Sequence, residues 1–149
     1  MNKEENAKYL EEAINELNKA AEHGDAAAEK LLTAKKFADG GDFWGSSGKE
    51  WEYDLATAYY KGEGVKRDFE RAVYWYNDVY RGPTDINGID KDAAYNLAMC
   101  YLNGEGVEKD YEMAVRLMKA AAETDEYGGG DIKIIGNANA IKWLQENEQ

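Results

Sequence analysis

His23 is the single histidine and Cys100 the single cysteine of the 149 residues. Any nucleophile with a histidine base would therefore have to use His23, and the cysteine version of that arrangement is a His23–Cys100 pair. A tetrahedral zinc site needs about four nitrogen or sulfur ligands, which one His and one Cys cannot supply. His23 also has a plain structural reading. It stands beside Gly24 at an expected helix end, where partial positive charge complements the helix dipole. Thirty acidic residues guarantee accidental carboxylate neighbours, so spacing alone marks no acid–base pair.

Four glycine-bearing segments resemble ligand loops and fail on inspection. Gly62-Glu63-Gly64 and Gly104-Glu105-Gly106 follow expected helices, whereas a dinucleotide fingerprint follows a strand. Gly48-Lys49 ends like a phosphate loop, but Phe43 stands where its first glycine belongs and Glu50 where Ser or Thr belongs. Asp85, Asn87, Gly88 and Asp90 suggest a calcium loop. With Gly88 as the turn glycine, however, the first and last ligand positions fall on Pro83 and Ala94. An Asx-rich surface turn is the better reading there. The chain is accordingly read as a non-enzyme without cofactor or metal.

The elements that would have to position any such residues are organised by a repeat. Residues 51–77 and 93–119 align at an offset of 42 without a gap. The identical pairs are Tyr53/Tyr95, Leu55/Leu97, Ala56/Ala98, Tyr59/Tyr101, Gly62/Gly104, Glu63/Glu105, Gly64/Gly106, Val65/Val107, Asp68/Asp110, Glu70/Glu112, Ala72/Ala114 and Val73/Val115. Chance would give about two such pairs at average composition. Each copy reads as helix, tight turn, helix. Ala93, Leu97, Ala98 and Tyr101 lie on one face of a 3.6-period helix. Gly104 suits the left-handed cap of a helix end, Val107 plugs the hairpin, and Asp110 caps the next helix. Ala114, Leu117 and Met118 give that helix its apolar face. The first copy repeats the scheme with Gly62, Gly64, Val65, Asp68, Ala72, Trp75 and Tyr76.

This pattern, Ala-x-Tyr-x-Leu-Ala-x-x-Tyr-x-x-Gly-x-Gly-Val followed by aspartate, aromatic and Ala-Val, resembles the Sel-1-like repeat family, relatives of the tetratricopeptide repeats. The resemblance implies an all-α chain: a right-handed α/α solenoid of about seven helices built from helix-turn-helix repeats. It also implies an adaptor for protein–protein contact. The spacing of 42 exceeds the family's usual period of about 36, and the extra residues are placed in the turn-rich segment 81–90.

One domain spanning 1–149 is expected. It would comprise a degenerate N-terminal unit over 6–39, repeats at 51–77 and 93–119, and a terminal helix over 137–149. In the N-terminal unit Ala13, Ala20, Ala21 and Gly24 echo the end of a second repeat helix, and 26–39 forms the next helix. Its Gly-x-Gly-Val turn is replaced by a loop at 40–49. Residues 120–126 are expected to finish a helix, 127–131 to break it, and Ile132–Gly136 to be short and β-prone. Ile141, Trp143 and Leu144 should pack the terminal helix inward.

Charge bounds the partners. The net charge is −12, from 30 acidic and 18 basic residues. Such a chain repels phosphate backbones and anionic lipid, so neither nucleic acid nor membrane is expected as a partner. The acidity either keeps the protein soluble or steers a basic protein partner toward it. A lone cysteine precludes an intrachain disulfide and fits a reducing compartment. With no leader visible at the charged N-terminus and no apolar run of about 20 residues, a cytoplasmic location is expected.

Thr57, Lys61, Met99 and Asn103 lie opposite the apolar face of the repeats' first helices and are candidate contact residues; solvated surface is their plain alternative. Phe43 and Trp44, in the Gly/Ser loop, either fold back on the core or serve as exposed anchors. The functional reading is a protein-interaction module with a basic partner. A narrower version is an immunity- or antitoxin-like protein covering a basic toxin. The rivals are a hydrolase like the cysteine-rich members of the family, which one cysteine argues against, and a self-associating structural protein.

Overall fold

A computed structural model describes residues 3–40, 48–82 and 88–148. Among them are seven α-helices and one short β-hairpin, and the fold class is all-α. The helices are α1 (Lys3–Glu22), α2 (Ala26–Asp39), α3 (Gly48–Lys61), α4 (Phe69–Arg81), α5 (Ile89–Asn103), α6 (Tyr111–Ala122) and α7 (Ala138–Asn147). The contacts divide the chain into two compact units, Met1–Ala72 and Val73–Gln149.

In the first unit α1 packs on α2 and α2 on α3. Its core is small-residue rich: Ala13, Leu17, Ala28, Leu31, Leu55, Ala56, Ala58 and Val65 are buried, with Trp51 and Tyr59 filling the space around them. Alanines at these positions let helix axes approach closely while the aromatics restore packing density. Asp25 begins α2 by accepting the Ala28 N–H at 3.0 Å, an N-cap that satisfies one of the helix's orphan donors. α1 is tied to the repeat by polar contacts. The Lys66 N–H donates to Glu16 at 2.7 Å, and Arg71 donates to Glu12 at 2.9 Å while lying 4.1 Å over the Tyr9 ring.

The two repeats close their turns identically. The N–H groups of Gly62 and Glu63 both donate to the Ala58 carbonyl, and those of Gly104 and Glu105 to the Cys100 carbonyl. The acceptors are again 42 residues apart. Gly104 takes the left-handed conformation at φ 67°, where a side chain costs about 1–2 kcal/mol. Asp68 and Asp110 then cap α4 and α6 through the N–H groups of Arg71 and Met113, each at 3.0 Å.

In the second unit Trp75, Val79, Ala93, Ala94, Leu97, Ala98, Cys100, Ala114, Leu117, Met118 and Ala121 are buried. α5 packs on α6 and α6 on α7. The expected helix through residues 120–126 stops at Ala122. Continuing it would need the Asp125 N–H on the Ala121 carbonyl, but Asn137 donates to that carbonyl at 2.7 Å. Strand β1 (Asp125–Tyr127) follows and pairs antiparallel with β2 (Ile132–Ile134), in the register Asp125 to Ile134. The β-prone segment of the sequence is thus one arm of a hairpin.

The hairpin is pinned to the start of α5. Lys91, 4% exposed, places its ammonium 3.1 Å from Asp125, and the Asn137 side chain donates to Asp92 at 2.7 Å. α5 opens at Ile89, so the last residues of the expected insertion belong to the helix. Asn137 caps α7 by accepting the Ala140 N–H. Ala140 is that helix's buried residue, while Ile141, Trp143 and Leu144 are half-buried.

Candidate protein-binding groove

A groove of about 210 Å³ runs between α2 and α3 in the first unit. Its floor is Ala27, Leu31 and Ala34 from α2 with Ala58 from α3; Thr57, Asp54, Lys30 and Glu63 supply the polar groups. The local sequence explains the opening. On α2 the lining positions recur at helical spacing, and three of them are alanine or a long flexible lysine, so the wall stays low. On α3 the same face carries a carboxylate, a hydroxyl and a methyl group, none large enough to fill the space. The turn after α3 is held against the first turn of α2 because Gly64 has no side chain. A Cβ there would lie 3.0 Å from the Ala28 nitrogen, at a φ of +82°.

The electrostatics of the groove centre on Asp54. Loss of water at the groove mouth pushes its carboxyl above the usual aspartate range, the Glu50 carboxylate one helical turn away pushes the same way, and Lys30 across the groove opposes both. Asp54 is exposed as a residue, so the desolvation acts on a carboxyl at a rim rather than in a core. Two acids and one lysine line the groove, with Glu50 adding a third negative charge beside it.

The residues picked from the sequence are distributed as follows. Thr57 is half-buried in the groove wall, and Lys61 ends the same helix, exposed. Met99 is half-buried on α5; Asn103 is exposed near the end of α5, where its amide donates to Glu105 at 3.2 Å. Phe43 and Trp44 lie outside the described residues. Sequence reasoning missed Lys30, Asp54 and Glu63. Asp54 is three residues before Thr57, on the same helical face, and that spacing was the available signal. Lys30 is brought opposite only by the packing of α2 on α3.

A second surface gathers in the other unit. Tyr111, 56% exposed, and the half-buried Trp143 stand 6.2 Å apart between ring centroids, and Glu112, Val115, Arg116 and Glu148 surround Tyr111. It is shallow and open.

Among the described residues the chemical candidates make structural contacts. His23 is exposed, and its Nδ1 donates to the Lys19 carbonyl at 2.8 Å, the helix-end role. Cys100 is fully buried, and burial followed by the nearby Glu105 carboxylate pushes its thiol up to about 12. It is a protonated core side chain at neutral pH. Gly48 and Lys49 open α3, with Lys49 3.2 Å from Glu52. Asp85 and Asn87 lie outside the described residues; Asp90 sits in the first turn of α5. Among the described residues no group of three or more His, Cys, Asp or Glu side chains could hold a metal ion, and no helix is long and apolar enough to cross a membrane.

Comparison with known proteins agrees with the repeat geometry. The Sel1 repeat model matches residues 52–77 and 91–124, which takes in both helix-turn-helix copies. Repeats of this kind generally mediate protein–protein interaction and are generally not catalytic. No curated protein and no solved structure matches the chain.

Proposed function

We propose that this Sel1-repeat protein is a non-catalytic binding module whose partner is a basic protein, engaged in part through the α2–α3 groove. The observation that supports this reading most directly is the groove itself: a low apolar floor under a rim with more acid than base. The net charge of −12 adds long-range attraction for a cationic surface, which raises encounter rates and suppresses acidic competitors. Thr57 and Lys61 belong to the contact region on this reading. Met99 and Asn103 occupy the equivalent positions of the second repeat and are proposed contact residues there. A lone, buried cysteine supports work in a reducing compartment such as the cytoplasm.

The test is affinity capture from the native host's lysate at low and then physiological salt, with mass spectrometry of what is retained. A basic protein held at both salts supports the reading, because exposed charge pairs alone weaken over a Debye length of about 8 Å. Capture dominated by acidic proteins or nucleic acid overturns it. One basic partner in a one-to-one ratio would narrow the function to an immunity-like cover for that protein; several partners lost as salt rises would narrow it to a general adaptor.

A further inference from the structure

We propose that the α2–α3 groove is a receptor for one basic side chain, lysine or arginine, from a segment of the partner protein, its aliphatic stem on Ala27, Leu31, Ala34 and Ala58 and its cationic head at Asp54. This rests on the binding-module reading above and goes further by naming the chemistry the groove selects. Lysine and arginine are amphipathic: their stems cover apolar surface while the charged head seeks water or a carboxylate. The groove offers those two environments in sequence, alanines and a leucine below, an acid at the mouth.

The charges facing the head favour a cation. Asp54 and Glu50 stand one turn apart on α3, Glu63 lies in the turn after α3, and Lys30 alone faces them from α2. Like charges at that helical spacing repel, so Asp54 carries an electrostatic cost in the free protein that an incoming ammonium or guanidinium removes. An anion entering the same space would meet three carboxylates and one amine. Lys30 is exposed and long, and it occupies the role a ligand's cation would take. It therefore competes with the ligand, and this gives the proposal a signature that an ordinary acidic surface lacks.

The experiment is a two-dimensional amide NMR titration of the full chain with Nα-acetyl-lysine methylamide. Nα-acetyl-norleucine methylamide, with the stem but no charge, and Nα-acetyl-glutamate methylamide serve as comparisons. Expected shifts are confined to residues 27–34 and 54–63 and are largest for the lysine probe. Asp54→Asn weakens the lysine probe about three- to fivefold, the range of a partly exposed ion pair. Lys30→Gln strengthens it by about twofold or more, because the competitor is gone. Both variants are surface changes whose folding is checked in the same spectra.

Shifts scattered over the acidic surface, or shifts that ignore Asp54→Asn, overturn the proposal. So does Lys30→Gln weakening the lysine probe, or the glutamate probe binding as well as lysine. The two readings fail separately. A basic partner captured equally by wild type and by Asp54→Asn retains the binding module and removes the groove. Lysine binding without capture of any basic protein removes the module's proposed partner and leaves the groove.

Discussion

The backbone N–H of Asp68 donates to the carbonyl of Tyr59 at 2.9 Å, across the Gly-Glu-Gly-Val turn, and Asp110 makes the same bond to Tyr101 at 3.1 Å. One residue thus does two jobs. Its main chain closes the hairpin, and its side chain caps the helix that follows. Replacing either aspartate by alanine leaves the closing bond and removes the cap. Asp68→Ala and Asp110→Ala should each cost about 1 kcal/mol, read as a fall in the midpoint of urea unfolding with unchanged slope. A neutral effect at both positions would show that the caps are ornamental.

Gly64 and Gly24 form a controlled pair. Both have positive φ, +82° and +83°, but a Cβ on Gly64 meets the first turn of α2 while one on Gly24 meets nothing within 4 Å. Gly24→Ala should lose about 1–2 kcal/mol, the conformational cost alone. Gly64→Ala adds overpacking of about 1–3 kcal/mol. Equal losses in thermal denaturation would show that α2 yields to the methyl group.

Lys91 and Asp125 hold the hairpin. Lys91 is buried and Asp125 partly exposed, so removing the acid strands a cation in the core. Asp125→Asn should destabilise by about 1–3 kcal/mol, less than the loss typical of a fully buried pair. Adding Lys91→Met should recover most of that, since a methionine fits an apolar site without needing a counter-charge. A double variant as unstable as the sum of the two singles would sink the pairing.

The repeat was legible in the sequence because its chemistry is local. Gly104, Asp110 and the flanking alanines Ala98 and Ala114 act on neighbours within one or two turns, and each does in the structure what its type and spacing predict. The same holds for the helix over 26–39, whose bounds the structure reproduces. What escaped is non-local. Asp125 and Glu126 are poor strand formers; the segment is extended because Ile132–Ile134 lies beside it and Asn137 has taken the carbonyl that would have prolonged α6. A buried lysine at 91 is invisible until Asp125 arrives. Thr57 was within reach as a surface position, but the groove it lines exists only once α2 is laid against α3.

Asp54 gives a pH-dependent prediction. Its pKa is raised in the folded chain, so the folded state holds that proton more tightly than the unfolded one. Its effect on stability is therefore most favourable below the unfolded aspartate pKa, near 4, and is lost as pH rises through the raised value. At pH 7 the ionised carboxyl sits against Glu50 at a cost, and Asp54→Asn should stabilise the protein slightly, by about 0.2–0.5 kcal/mol for the like-charge pair. The gain should vanish near pH 3. A stabilisation that persists undiminished at pH 3 would assign it to something other than charge.

Cys100 is the chain's sole cysteine, and it is walled into α5 with its thiol held protonated. The native thiol should therefore react far more slowly with alkylating reagents than an exposed cysteine would. A cysteine placed at Lys61 or Asn103 would be the site a fluorophore modifies first, without first deleting a native residue from the core. Reporters of partner binding can thus be installed on either repeat of the otherwise unaltered chain.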